Sequence, residues 1–121
     1  MTDAGGQPSD LDRVVEAVLV DAYGDDEHYV AFLTVFEEET RLPTAATLLG
    51  SPVTVTGFDY TDPRRGLVAL CRGPRDVGEV SLADLAFPSD TVTAWVHAAY
   101  RHHLGLPPFP ARPRPDWTWP T

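Results

Sequence analysis

The excess negative charge of this chain is confined to residues 10–39, and that segment must keep one face in water. Ten acids (Asp10, Asp12, Glu16, Asp21, Asp25, Asp26, Glu27, Glu37, Glu38 and Glu39) stand there against one base, Arg13. Their balance of −9 equals the formal charge of all 121 residues, and the remaining acids and arginines cancel. Acidity concentrated in this way in a small chain means a cation partner or a solvated surface.

The length is that of one domain, and a hydrophobic share of 43% supports a modest core. The field has the wrong sign for nucleic acid, whose phosphates are met by rows of Lys and Arg. The same sign argues against anionic membrane surfaces. No apolar run approaches the roughly 20 residues that span a bilayer. The opening MTDAGGQPSD has neither the basic nor the apolar region of a signal peptide. A single cysteine cannot close an internal disulfide. The expectation is a cytoplasmic protein.

The Gly, Pro, Ser and Asp content of residues 1–9 predicts a loose tail, and 10–106 reads as one globular domain. Leu11, Val14, Val15, Val18 and Leu19 recur at helical spacing. A first helix is predicted from Asp10 to about Tyr23, ended by Gly24. Asp25 or Asp26 is the expected cap of a second helix, running to about Glu39 with Tyr29, Phe32, Leu33 and Phe36 as its apolar stripe. Acids at 25, 26 and 27 suit its positive end. The tight connection predicts an antiparallel hairpin over residues 10–42. Residues 44–49, 53–58, 67–72 and 78–80 read as short strands, with turns at 62–66 and 73–76. Residues 81–85 read as one helical turn. Over 43–87 this pattern fits a small SH3-like barrel. Asp90 is the expected cap of a last helix, from Thr91 to about Leu104, with Val92, Trp95, Val96, Ala99 and Tyr100 as its buried stripe and Gly105 as its end. Residues 107–121 form a Pro- and Trp-rich tail, expected to lie extended and pinned by Phe109, Trp117 and Trp119. The fold class is α+β: a helical hairpin packed on the barrel, with the C-terminal helix and tail added.

In a hairpin the acids sort into two groups. Asp21, Asp25, Asp26 and Glu27 lie at the turn end. Asp10, Asp12 and Glu16 are expected beside Glu37, Glu38 and Glu39 at the open end, where a helix terminus already carries partial negative charge. A divalent cation there relieves the repulsion, and an oxygen-only ligand set favours Ca²⁺ over Zn²⁺. No EF-hand is present: a loop started at Asp21 has Tyr23, Asp26 and Phe32 where the pattern needs an acid, a glycine and a glutamate.

Val20-Asp21-Ala22-Tyr23, the acidic turn 25–27, the aromatic helix, Glu37-Glu38, Pro43 and Ala46-Thr47 together resemble the CcbP family of small acidic calcium-binding proteins from cyanobacteria. Val53-Thr54-Val55-Thr56-Gly57 and the segment 80–85 resemble its V-x-V-x-G and V-P-L-S-Q-L elements. The resemblance covers roughly residues 14–86. It implies a calcium buffer or sensor without a catalytic site, with Asp21, Asp25, Asp26, Glu27, Glu37 and Glu38 as metal ligands. Gly24 stands where that pattern has an acid, and Thr40 where it has a hydrophobic residue.

Cys71, between Leu70 and Arg72 in a strand, reads as a small buried apolar residue. His97, His102 and His103 do not converge like zinc ligands. Arg64-Arg65 and Arg112-Arg114 are short basic spots, expected to pair with the acidic hairpin either within one chain or between copies. Trp95, Tyr100, Trp117 and Trp119 read either as an aromatic surface or as a lock for the tail. No phosphate loop or nucleophile set is present, so no enzymatic activity is expected. The alternative to calcium binding is a metal-free adaptor whose acidic hairpin docks a basic protein, or whose Pro-rich tail docks an aromatic groove.

Overall fold

The last helix is buried on every side. Its periodicity predicts a single apolar stripe, yet every residue from Thr93 to Arg101 is buried, polar ones included. A computed structural model describes residues 8–73 and 76–112. In chain order these form α1 (Pro8–Val18), α2 (Asp25–Glu39), β1 (Thr44–Leu48), β2 (Ser51–Tyr60), β3 (Leu67–Arg72) and β4 (Val77–Ser81). A single 3₁₀ turn (Leu82–Asp84), β5 (Leu85–Ala86) and α3 (Val92–His103) complete the order. Trp117 and Trp119, and the basic spot at Arg114, lie outside the described residues.

The five strands make one antiparallel sheet in the order β4-β3-β2-β1-β5. Strands β1 to β4 form a meander, and the 3₁₀ turn then carries β5 back to the free side of β1. That is the mixed α+β arrangement expected from the sequence, with β4 and β5 at the ends of the strand order. The register slips between Val55 and Gly57, so long β2 bends midway.

α2 runs antiparallel to α3 and is held at three levels. His28 meets His103, Phe36 meets His97 and Tyr100, and the buried hydroxyls of Thr40 and Thr93 share a hydrogen bond of 2.7 Å. α1 lies mainly against α3 and only lightly against α2. Its Asp12 carboxylate meets the His102 ring at 2.6 Å. Asp12 therefore sits at the end of α3 where α2 begins. The expected meeting of Asp12 with Glu37–Glu39 is not made, because α1 takes its position from α3 rather than from α2.

The helix ends also differ from their predicted bounds. α1 stops at Val18, well short of Tyr23, where Val18 and Val20 weaken helical propensity. Gly24 does not close α1. At φ 90° it is the residue before α2, in a backbone conformation that a side chain resists. Glu27 in the first turn of α2 reaches back to accept from the Tyr23 N–H at 3.2 Å, in the manner of a capping box. α3 is capped by Thr91, not Asp90: the Thr91 hydroxyl accepts from the Ala94 N–H at 3.1 Å. Its far end closes on Gly105 at φ 79°, with Leu106 N–H bonded to Arg101 O and Gly105 N–H to His102 O, a Schellman motif.

Burial of a polar helix is tolerable only when its donors and acceptors are matched. The Tyr100 hydroxyl accepts from the Leu67 N–H at 3.0 Å, and burial pushes its phenol up to about 12. Gly66 passes directly beneath it, where a Cβ would lie 3.0 Å from that hydroxyl. The Arg101 guanidinium donates to the Ala83 and Pro107 carbonyls and lies 4.0 Å from the centre of the Phe109 ring. Phe109 also stacks on His97, so this part of the tail is pinned as expected. Trp95 and Tyr100 are buried and form no aromatic surface. Arg65 pairs with Glu79 of β4 at 3.1 Å rather than with the acidic segment. Cys71 is buried, and burial pushes its thiol up.

The His97 Nε2 lies 2.7 Å from the Leu82 carbonyl, which only accepts, so Nε2 carries the proton. Burial, aided by the Arg101 charge and opposed by the Leu82 bond and Asp84, pushes the imidazole down to about 4. Between pH 6.5 and about 4 the unfolded chain binds a proton at this residue that the folded chain refuses. Stability from neutral His97 is thus present above pH 6.5 and is lost as the pH falls towards 4, by on the order of 3 kcal/mol. Urea unfolding across this window should show a steeper loss in the natural chain than in His97→Gln, which keeps a donor for Leu82 but cannot protonate.

Candidate functional site

The carboxylates singled out from the sequence lie at the two ends of α2. Asp25, Asp26 and Glu27 occupy its first turn, with Asp21 in the turn that precedes it. Glu37 and Glu38 occupy its last turn, exposed and without a base nearby in the helix. Asp26 and Glu37 are about 16 Å apart along the axis at 1.5 Å per residue. One ion cannot bridge both groups.

The helix itself separates the groups electrostatically. Acids in the first turn face the positive end of the macrodipole and stabilise α2. Glu37, Glu38 and Glu39 face the negative end, beside carbonyls that lack helical partners. The first group is therefore settled where it stands, and the second is not.

Within the first group the side chains diverge. Asp21, Asp26 and Glu27 line one groove between α2 and the turn that follows α1. Asp25 points instead to a hollow lined by His28, Tyr29, Pro63 and His103. Two of the carboxylates are already oriented by protein donors. The Tyr60 phenol donates to Asp26 Oδ1, and the Tyr23 N–H donates to Glu27 Oε1. Tyr60 stacks on Tyr29 with centroids 5.2 Å apart, which fixes the donor. Partial burial, the Asp26 bond and the Asp26 charge, in that order, raise the Tyr60 phenol well above its ordinary range, so it stays a donor.

Among the described residues no three His, Cys, Asp or Glu side chains gather closely enough to hold a metal ion. The donor chemistry of the acidic turn suits a hard cation, but the ligands are not assembled into a cage. His102 is bound to Asp12, and His97 to Leu82, so the histidines of α3 point three ways. The sequence reading overlooked His28. Its ring meets that of His103 edge-on at 5.3 Å, across 75 positions of sequence that no short motif spans. Burial first, then the nearby His28 charge, lowers His103 from its ordinary value, against the pull of Asp25.

Comparison with known proteins adds one finding. No family model and no curated protein matches the chain. Among solved structures, it is similar to a calcium binding protein in the calcium-binding form, with a TM-score of 0.61 over 88% of this chain and 98% of that one. The two share a fold. At 13% identity the likeness extends to backbone architecture and no further. No helix among the described residues is long and apolar enough to cross a membrane.

The Tyr60–Asp26 contact has a direct optical test. In an alkaline titration, Tyr60→Phe should leave the tyrosinate absorbance change below about pH 11 intact and remove amplitude only above it. Loss of amplitude at lower pH would mean that Asp26 does not hold the phenol.

Proposed function

We propose that this protein binds Ca²⁺ without catalysing a reaction, through the carboxylates Asp21, Asp25, Asp26 and Glu27 at the start of α2. The observation that carries the reading is the fold shared with a calcium binding protein, together with oxygen ligands concentrated at one turn. The CcbP-like sequence elements around the same turn support it independently. Glu37 and Glu38, about 16 Å away, form a separate acidic patch and serve at most as a second, weaker site.

Asp21, Asp26 and Glu27 border one groove while Asp25 borders another hollow, so binding has to bring Asp21 and Asp25 towards the other two. Affinity then falls at the weak end for calcium modules, roughly 10⁻⁴ to 10⁻³ M. Flexible carboxylates favour Ca²⁺ over Mg²⁺, which keeps its waters and demands an octahedron. That weakness suits a buffer or a sensor of large calcium rises.

Calorimetric titration at physiological salt tests the reading. Saturable heat is expected with Ca²⁺ and little with Mg²⁺, and Asp21→Asn with Asp25→Asn should weaken Ca²⁺ binding at least about tenfold. A flat trace up to several millimolar Ca²⁺ would end the proposal. The C-terminal glutamates give a second test. Glu37→Gln with Glu38→Gln should raise the metal-free Tm by roughly 2–4 °C, since two charges leave the negative helix end. The Ca²⁺ response of that variant should persist.

A further inference from the structure

α2 has apolar residues on its outer side as well as its inner one. Phe32, Val35 and Phe36 go into the core, while Val30 stays 48% exposed. Beside it the turn after α1 leaves Val20 70% exposed. Between them lies an apolar groove of about 480 Å³, walled by Val20, Val30 and Val35 and rimmed by Asp21, Asp26 and Glu27. Its α2 wall runs from Asp26 to Val35, about 13 Å at 1.5 Å per residue, or between two and three helical turns. Two exposed valines thus meet at one groove whose rim is acidic.

We propose that this groove docks a basic amphipathic helix of another protein. The occupant lays an apolar stripe along Val20, Val30 and the half-buried Ala22 and Ala31, and its Lys or Arg side chains meet the carboxylate rim. Charge complementarity selects that partner. Three acids ring the apolar floor, within a segment that carries ten acids and a single Arg. An acidic helix is repelled at the same rim, and a plain polycation gains nothing from the valines. Helix-in-groove recognition of this kind reads anchors at i, i+3, i+4 and i+7. The inference stands without calcium, although the two readings share rim carboxylates.

The test uses the full chain in a chelating buffer, so a failed calcium reading leaves it intact. A labelled helical peptide of about 18 residues, with leucine at those anchor positions and lysine elsewhere, is titrated by fluorescence anisotropy. Two companion peptides replace its leucines with serine or its lysines with glutamate. The first peptide should bind saturably, and each companion at least about tenfold more weakly. Val30→Asp should also cost at least about tenfold, even though it adds a charge that attracts lysine. Asp21→Asn with Glu27→Gln should cost roughly three- to fivefold and flatten the salt dependence. Glu37→Gln with Glu38→Gln removes the same charge away from the groove and should leave affinity unchanged. If circular dichroism shows Val30→Asp unfolded, Val20→Asp replaces it at the more exposed wall. Equal binding of the serine peptide, or indifference to the valine substitution, overturns the proposal in favour of undirected acidity. So does a tenfold gain from Trp117→Ala with Trp119→Ala, which makes the chain's own C-terminal segment the occupant. Self-association abolished by Val30→Asp overturns it as well, in favour of a second copy.

Discussion

The burial of α3 on all sides is the constraint from which the other placements follow. A helix packed all round has no wet face for its polar residues, so each one must find a partner inside. Tyr100 takes the backbone N–H of Leu67 at the start of β3. His97 takes the Leu82 carbonyl, and Arg101 takes those of Ala83 and Pro107. Those bonds tie the sheet, the 3₁₀ turn and the chain beyond α3 to one axis. Truncating any of these three side chains leaves a backbone group unpaired, which generally costs more than the lost contact alone.

With α3 as the axis, α1 and α2 become its outer cover, and their acids are left in water. α2 then presents carboxylates at both ends, under opposite electrostatic conditions. At its start the positive dipole end faces the acids, the Tyr60 phenol donates to Asp26 and the Tyr23 N–H donates to Glu27. At its finish the last turn holds no base to offset Glu37, Glu38 and Glu39. The same helix therefore makes one settled acidic region and one strained one. The settled region borders the apolar groove, which gives a cation and a basic peptide chemically related reasons to approach it.

Most local structure was legible because its signals are local. The 62–66 turn is set by Asp62, whose carboxylate accepts from the N–H groups of Arg64 and Arg65. The Gly105 stop, the single turn at 82–84 and the finish of α2 at Glu39 follow from neighbours in sequence. Errors arose where two signals competed within a few positions. Gly24 satisfies either a helix end or a helix start, and the break at Val18 made it a start. Asp90 and Thr91 are both good caps, and Thr91 won because its hydroxyl also donates to the Pro88 carbonyl.

Residue order by itself determined the α+β class, the positions of β1 to β4 and the confinement of negative charge to residues 10–39. These depend on periods of two and 3.6 residues and on turn chemistry, all of which act over short spans. Tertiary packing decided which acids meet. It put Asp12 against His102 instead of Glu37, turned Asp25 away from Asp26 towards His28 and His103, and assembled Val20 with Val30 and Val35. No short-range pattern encodes those meetings, because each depends on the burial of α3, and that burial exists only once sheet and helices close around it.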